Sequence, residues 1–202
     1  MLASLSHDLR TPLTRLRLRL EAADMPEALR DKAAADITAM NGLIDEVLGL
    51  FRGADGEPLR DVDVAALVQA LTDDWVEQGQ QLQCHADGPL VARTRSAALR
   101  RVVENLVGNA LRYGRDVEVE VQAEAKEIVV RVMDRGPGLA PEQLEQVFQP
   151  FYRGESSRNR ESGGTGLGLF IARDLCRRIG ANLRLSNREG GGLLAELRLP
   201  RN

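Results

Sequence analysis

Ser6-His7-Asp8-Leu9-Arg10-Thr11-Pro12, near the start of the chain, places a histidine beside a carboxylate and one helical turn before a hydroxyl. Residues four apart on a helix share a face, so His7 and Thr11 are predicted neighbours. A neutral imidazole is a good nucleophile near pH 7, and Asp8 could orient it or take its proton. Thr11 could hold a water or a phosphoryl oxygen. Taken alone, these residues would be ordinary solvated helix surface, so their chemistry depends on the rest of the chain.

Two amphipathic helices are predicted around this run. The first covers residues 2 to about 22; Pro12 should kink it, and its apolar stripe consists of Leu9, Leu13, Leu16 and Leu20. A turn at 24–27 leads to a second helix that ends near residue 52, and its heptad seam consists of Ile37, Met40, Ile44, Val47 and Phe51. Two such helices form an antiparallel hairpin, and two hairpins form a four-helix bundle, so a homodimer is expected.

The sequence pattern changes after a Gly- and Pro-containing linker. We predict a helical hairpin at 1–53, a linker at 54–60 and an α+β domain at 61–202. Within the last region, periodicity predicts a strand running into a helix at 62–71, helices at 97–113, 141–147 and 166–179, and strands at 80–86, 90–92, 117–121, 128–132, 183–185 and 193–199. Strands on one face and helices on the other make a sandwich. Phe148 and Phe151 are expected to anchor the polar loop 152–165 in the core.

Composition narrows the class of protein. Apolar residues make up 43% of the 202 positions and the net charge is −3, which gives no reason to expect nucleic-acid binding. Cys84 and Cys176 cannot make a disulfide framework, and a reduced, cytoplasmic setting is expected. No run of about 18 apolar residues exists to span a membrane. Met1 lies six residues before His7, so we expect that the natural helix begins earlier, in a longer chain.

Asn105 and Asn109 lie four apart on the predicted helix 97–113 and share one face. Amide oxygens are hard ligands that suit Mg²⁺ bound together with nucleotide phosphates. The alternative is a pair of satisfied polar or capping residues. Farther along the helix, Arg112 could pair with a phosphate and Tyr113 could cover a base, or both could be plain helix surface.

Asp134-Arg-Gly136-Pro-Gly138 follows the predicted strand 128–132. An Asp at a strand end can accept a hydrogen bond from an exocyclic amine such as that of adenine. The two glycines let the backbone approach a flat ligand closely. Alone, the run is equally an ordinary turn.

Gly163-Gly-Thr-Gly-Leu-Gly168 leads directly into the predicted helix 166–179. The backbone amides of such a turn, with a helix dipole behind them, can cradle phosphates, although the spacing is neither that of the P-loop nor that of the Rossmann fold. A generic anion site and a flexible loop both stay open. Arg153, Arg158 and Arg160 could meet phosphate, and for the last two a solvated basic loop is the alternative.

Taken together, these runs resemble the transmitter region of two-component sensor histidine kinases, most closely its osmosensor members. The family's H, N, G1, F and G2 boxes are matched by Ser6–Pro12, Asn105–Ala110, Asp134–Leu139, Phe148–Arg153 and Gly164–Leu169. The resemblance covers nearly the whole chain. It implies a hairpin that forms a dimeric four-helix bundle, followed by an α/β sandwich ATP-binding domain of the GHKL (Bergerat) type.

The resemblance also implies roles for individual residues. His7 would be the phosphoacceptor, Asp8 would assist proton removal, and Thr11 would serve dephosphorylation of the partner. Asn109 with Asn105 would hold Mg²⁺ on the ATP phosphates; Asn105 stands where ATPases of the gyrase and Hsp90 type carry a hydrolytic Glu. Asp134 would read the adenine amine. The other nucleotide contacts would come from Arg112, Tyr113, Gly136, Gly138, Arg153, Gly164, Thr165, Gly166, Leu167 and Gly168.

The implied function is ATP-dependent autophosphorylation of His7 and transfer of the phosphoryl group to an aspartate on a response-regulator receiver domain, with phosphatase activity toward that regulator. The implied partners are this receiver domain and a second copy of the chain, with no nucleic acid and no direct membrane contact. The chain would be the cytoplasmic portion of a bacterial inner-membrane sensor.

Two rival functions and two departures from the family pattern accompany this prediction. Asn105 and the His7 hairpin argue against an ATPase that hydrolyses ATP to drive a conformational change. Intact Asn109, Asp134 and Gly166 argue against a dimeric scaffold without activity. The last strand reads Gly191-Gly-Leu-Leu194 where many relatives have Thr after the glycines, so an adenine-side hydroxyl is lost or supplied elsewhere. The short helix before His7 could weaken dimerisation.

Overall fold

The computed structural model describes residues 2–23, 25–52, 57–154 and 165–201. The chain divides into two compact units, Met1–Arg52 and Gly53–Asn202.

The first unit consists of two helices that pack against each other, α1 (Leu2–Glu21) and α2 (Glu27–Arg52). The Arg30 guanidinium closes the turn between them, because its Nη2 donates to the carbonyls of Ala23 and Met25, both at 3.4 Å. Ile37 of the predicted seam is buried, whereas Met40 is 48% exposed and Leu16 of α1 is 44% exposed. The side chains of Val47 and Phe51 lie outside the described residues, and the kink at Pro12 stays a prediction.

The second unit is an α+β sandwich, as the sequence predicts. Its elements are β1 (Arg60–Asp63), α3 (Val64–Glu77), β2 (Leu82–Ala86), β3 (Val91–Thr94), α4 (Ser96–Tyr113), β4 (Val117–Glu124), β5 (Glu127–Met133), α5 (Gln143–Gln146), α6 (Gly168–Arg178), β6 (Asn182–Asn187) and β7 (Leu193–Pro200). Five strands form one sheet in the order β2-β4-β5-β7-β6, in which only the β2–β4 pair is parallel. β1 and β3 form a separate antiparallel pair.

Alternation along the strands decides which face of the sheet the helices cover. In β4, Val117, Val119 and Val121 are buried and the intervening residues are partly exposed. Strand β7 shows the same period of two, which is expected of a sheet with one buried face. The buried face meets helices α4 and α6, which also pack on each other. The core is aliphatic, and its largest fully buried members include Leu99, Leu106, Ile128, Ile171, Leu175 and Leu197.

The opposite face of the sheet is held by ion pairs rather than by a helix. Arg131 on β5 contacts Glu124 and Glu196, and Arg198 on β7 contacts Glu124, Glu127 and Glu196. Hydrogen bonds with the arginines hold the pKa values of Glu124 and Glu196 below their usual range. Each guanidinium therefore ties β7 to the hairpin formed by β4 and β5, from which it is distant in the chain.

Several predicted boundaries shift for identifiable reasons. The strand predicted from residue 80 begins at Leu82, because Leu82 pairs with Val117, the first residue of β4. The helix predicted from residue 166 begins at Gly168, because Gly166 has φ +76°, which is incompatible with a right-handed helix.

The predicted anchoring of Phe151 in the core is wrong. Phe148 is buried, but Phe151 is 63% exposed and has φ +64°. This left-handed backbone turns the chain just before residue 152, so the ring lies at the surface. A non-glycine residue in this conformation is strained unless its surroundings hold it there, and the Phe151 amide does donate to the Gly166 carbonyl at 3.0 Å.

Candidate nucleotide-binding site

Asp134 stands directly after β5 and is only 5% exposed. Its Oδ1 accepts from the Gly136 amide at 2.6 Å and from the Leu193 amide at 3.4 Å. Within the described parts of the chain, both hydrogen bonds to this carboxylate end on Oδ1, so Oδ2 is the oxygen placed to accept from a ligand. Burial raises the pKa of Asp134 above its ordinary value, and the two amides and Arg188 only partly oppose this.

Three glycines lie so close to Asp134 that a side chain on any of them would collide with it. A Cβ on Gly114 would lie 2.4 Å from the Asp134 Cβ, and one on Gly136 would lie 2.8 Å from its Oδ1. A Cβ on Gly192, in the hairpin between β6 and β7, would lie 1.9 Å from the Asp134 carbonyl oxygen. Backbone from three segments therefore meets around one buried carboxylate, an arrangement that fits a flat ligand with an amine at its edge.

The far end of the Asp134–Leu139 turn is held by a residue that sequence reasoning missed. Asn187, the last residue of β6, donates from Nδ2 to the Leu139 carbonyl at 2.7 Å and accepts at Oδ1 from the Leu139 amide at 2.9 Å. Gly138, between them in space, has φ +69°. No local pattern marks Asn187, because its partner is 48 residues away in the chain.

Asn105 on α4 lies against the first residue of α6. Its Nδ2 donates to the Arg101 carbonyl at 2.8 Å, and its Oδ1 lies 3.0 Å from the position that a Cβ on Gly168 would take. The amide oxygen is therefore directed at the N-terminus of α6, where the helix dipole favours anions. Asn109, one turn later on α4, is half-buried.

The stem of the glycine-rich loop is well defined. Leu167 is buried, and its amide donates to Thr165 Oγ1 at 3.2 Å. Gly166 packs so closely on the Phe151 and Tyr152 backbone that a Cβ would lie 2.8 Å from the Tyr152 carbonyl oxygen. Arg153 is half-buried. The predicted Arg158, Arg160 and Gly164 lie outside the described residues.

The remaining predicted residues lie at the end of α4 and on α1. Tyr113 ends α4 half-buried, and its carbonyl oxygen lies 2.8 Å from the Cβ position of Gly136; Arg112 is exposed. His7 and Asp8 lie on α1, but their side chains are outside the described residues, and Thr11 is half-buried. No group of three His, Cys, Asp or Glu side chains able to hold a metal occurs in the described segments, and none of their helices is long and apolar enough to cross a membrane.

This geometry defines a class of ligand. A buried acceptor carboxylate flanked by glycines suits the exocyclic amine of a purine. The N-terminus of α6 suits phosphates, and the Asn105 amide oxygen beside it suits a hard divalent cation. Those features belong to one α+β unit, which follows a separate histidine-carrying helical hairpin in the sequence.

Comparisons with known proteins identify the families to which both units of the chain belong. Residues 94–202 match the family of histidine kinase-, DNA gyrase B-, and HSP90-like ATPases, and residues 1–56 match the His Kinase A (phospho-acceptor) domain. The chain belongs to the sensor histidine kinases, of which these two domains form the transmitter region. The resemblance predicted from the sequence boxes is thereby confirmed.

Individual relatives of this chain are histidine kinases or sensor proteins. The sensor histidine kinase GtrS of Pseudomonas aeruginosa is 36% identical over 100% of this chain and 41% of its own length. The sensor protein RstB of Escherichia coli K12 is 35% identical over 95% of this chain and 46% of its own. The histidine kinase domain of the E. coli osmosensor EnvZ is 32% identical, with a TM-score of 0.57 over 72% of this chain and 90% of that one. The chain thus spans less than half the length of those two curated relatives.

Proposed function

We propose that this chain catalyses ATP-dependent phosphorylation of its own His7 and passes the phosphoryl group to an aspartate on a response-regulator receiver domain. The observation that carries the proposal is the buried Asp134 carboxylate, fixed by the amides of Gly136 and Leu193 with one oxygen left to read adenine. The family to which the chain belongs supports ATP as the substrate.

In the proposed reaction, an imidazole nitrogen of His7 forms a bond to the γ-phosphorus while the bond from that phosphorus to the bridging oxygen breaks and ADP leaves. Asp8 orients the ring and takes the proton that the imidazole loses. Thr11 positions a water for the reverse task, hydrolysis of the phosphoryl group on the receiver domain. The His Kinase A match at residues 1–56 supports His7 as the acceptor.

Asn109, together with Asn105, is proposed to hold Mg²⁺ against the ATP phosphates. The donor set fits, because Asn105 Oδ1 faces the N-terminus of α6 while its Nδ2 is occupied by the Arg101 carbonyl. The cation would supply charge neutralisation on the phosphate oxygens. At Asn105 an amide cannot act as a general base, which favours transfer to His7 over hydrolysis.

The other proposed nucleotide contacts lie around the same site. Backbone at Gly136 and Gly138 faces the base and Tyr113 covers it. The phosphates are met by Arg112, Arg153, Thr165, Gly166, Leu167 and Gly168.

The proposed assembly is a homodimer through α1 and α2, with the hairpin at 1–53, a linker at 54–60 and the catalytic domain at 61–202. Its proposed setting is the cytoplasmic side of a bacterial inner-membrane sensor, with contact to neither lipid nor nucleic acid in this portion. Exposed Leu16 and Met40 on the hairpin support the dimer.

The test compares the two histidines of the chain. Mg-ATP labelled on the γ-phosphate is incubated with wild type, His7→Ala and His85→Ala; His85 is exposed on β2 and serves as the matched control. We expect acid-labile, base-stable label on wild type and His85→Ala and none on His7→Ala, which should still bind ATP. Equal label on all three would refute His7 as the acceptor, and phosphate release without label would favour an ATPase.

A further inference from the structure

We propose that Asn187 is a positioning residue that holds the Asp134–Leu139 turn in the shape that binds the nucleotide base, an inference that rests on the proposed function and deepens it. Its carboxamide makes two hydrogen bonds to the same residue, from Nδ2 to the Leu139 carbonyl and from the Leu139 amide to Oδ1, at 2.7 and 2.9 Å. A pair of bonds in opposite directions fixes the orientation of the Leu139 peptides as a strand partner would.

The turn is pinned at its two ends by different means. At the first end, the Asp134 amide donates to the Leu193 carbonyl at 3.0 Å, and Arg188 Nη1 donates to the Asp134 carbonyl at 3.3 Å. At the other end, Asn187 is the side chain that bonds Leu139. Residues 135–138, which lie between, include both glycines that face the proposed base.

Gly138 and Asn187 depend on each other. A Cβ at Gly138 would lie 2.7 Å from the Asn187 Oδ1 and 3.4 Å from its Cγ. The carboxamide therefore occupies the space that a side chain at position 138 would need. Glycine is required there both for its φ of +69° and for this contact.

The two hydrogen bonds from Asn187 preorganise the Asp134–Leu139 turn for ligand binding. A turn fixed at both ends binds a flat ligand without first being ordered, so that cost is removed from the binding free energy. Asn187 touches neither the phosphates nor the histidine in this scheme. Its loss should therefore raise the KM for ATP and leave kcat at saturating ATP nearly unchanged.

The experiment uses the full chain with three variants. Asn187→Ala removes both bonds. Asn187→Asp keeps the shape and the acceptor for the Leu139 amide but sets a carboxylate oxygen against the Leu139 carbonyl. Asn182→Ala is the matched control, an exposed asparagine at the opposite end of the same strand. Mg-ADP affinity is measured by calorimetry, KM and kcat for autophosphorylation with Mg-ATP, and amide exchange at Leu139 without nucleotide.

We expect Asn187→Ala and Asn187→Asp to weaken Mg-ADP binding by about five- to tenfold, the effect of losing one or two hydrogen bonds. KM should rise in parallel and kcat should stay within about twofold. Leu139 amide exchange should accelerate in Asn187→Ala, which loses the acceptor, and Asn182→Ala should match wild type.

Unchanged affinity in both Asn187 variants would overturn the role of Asn187 while leaving the nucleotide site intact. A fall in kcat and in thermal midpoint without a change in KM would also overturn it, because the residue would then be merely structural. Failure of wild type itself to bind Mg-ADP would remove the proposed function and this inference together, which distinguishes it from the first two outcomes.

Discussion

Asp134 is buried where its negative charge is poorly solvated, so the charge costs folding free energy. Burial strips water from the carboxylate, and the amides of Gly136 and Leu193 return only part of that stabilisation, which is why its pKa is raised. A buried carboxylate such as Asp134 makes the fold less stable than an apolar residue at the same position would. The proposed hydrogen bond to the base amine would account for a charged residue here, and shifted pKa values are typical of functional sites.

Asp134→Asn should separate ligand binding from stability. The variant's oxygen must take the Oδ1 position, because the Gly136 and Leu193 amides need an acceptor there. Its NH₂ then replaces Oδ2 and meets the adenine amine, donor against donor. We expect Mg-ADP affinity to fall at least about tenfold, from the loss of a bond to a charged acceptor. The thermal midpoint at pH 7 should be equal to that of wild type or higher.

The stability difference between Asp134→Asn and wild type should depend on pH in a definite direction. The folded protein holds the Asp134 proton more tightly than the unfolded chain does, so ionisation of Asp134 costs stability. This cost is absent below the unfolded pKa and complete above the raised folded pKa. The advantage of Asp134→Asn in thermal denaturation should therefore shrink as pH falls through that window. An advantage that grows in acid would contradict the assignment.

Sequence reasoning located Asp134 because it ends an alternating strand before a glycine turn, which is a local pattern. It missed Asn187 because the two hydrogen bonds of that residue join positions 48 apart. It misplaced Phe151 because nothing local in the sequence reveals that the backbone of this residue is left-handed. Contacts between distant segments therefore mark the limit of prediction at this site.

At the scale of elements, the N-terminus of helix α4 is capped by Glu57, a residue outside the helix. Its N-cap residue, Arg95, makes no capping hydrogen bond with its side chain. Instead Glu57 Oε1 accepts from the Ala97 amide at 3.0 Å and from Ser96 Oγ at 3.2 Å. Arg95 Nε in turn donates to the Glu57 carbonyl at 3.0 Å. The negative charge also complements the helix dipole.

This cap was invisible in the sequence, where composition assigned residues 54–60 to a linker. Gly and Pro around Glu57 are typical of linkers, but its carboxylate is fixed to α4, the helix that carries Asn105 and Asn109. Residues 53–56 lie outside the described part of the chain. The periodic elements, by contrast, were predictable because burial of one face dictates the alternation of β4 and β7.

Glu57→Ala should destabilise the second unit by about 1 kcal/mol, the usual loss for a helix cap. Glu57→Gln should lose less, because an amide oxygen still accepts from Ala97 while only the charge is removed. Urea denaturation of the full chain, followed by circular dichroism, measures both. Glu189→Ala, exposed in the β6–β7 turn, is the control and should resemble wild type. Equal stability of Glu57→Ala and wild type would show that the cap is unimportant.

At the scale of the whole molecule, the hairpin leaves apolar surface uncovered. Ile37 of the heptad seam is buried within the single hairpin, but Met40, three residues later, is 48% exposed, and Leu16 on α1 is 44% exposed. A two-helix hairpin buries too little to cover both, and a second copy would complete a four-helix bundle. The seam spacing and the uncovered residues thus point to the same face.

Met40→Glu tests this dimer face. Two-fold symmetry makes one seam substitution act twice, so it should place two desolvated charges near each other and shift the chain from dimer to monomer. Light scattering coupled to gel filtration at micromolar concentration measures the mass. Leu29→Glu is the control, because Leu29 is 55% exposed on the same helix but lies off the seam. If the histidine of one protomer is reached only in the assembled bundle, Met40→Glu should also lose label from ATP. It should retain Mg-ADP binding, since the proposed nucleotide contacts all lie in the second unit. A monomeric wild type, or a Met40→Glu variant that stays dimeric, would place the interface elsewhere.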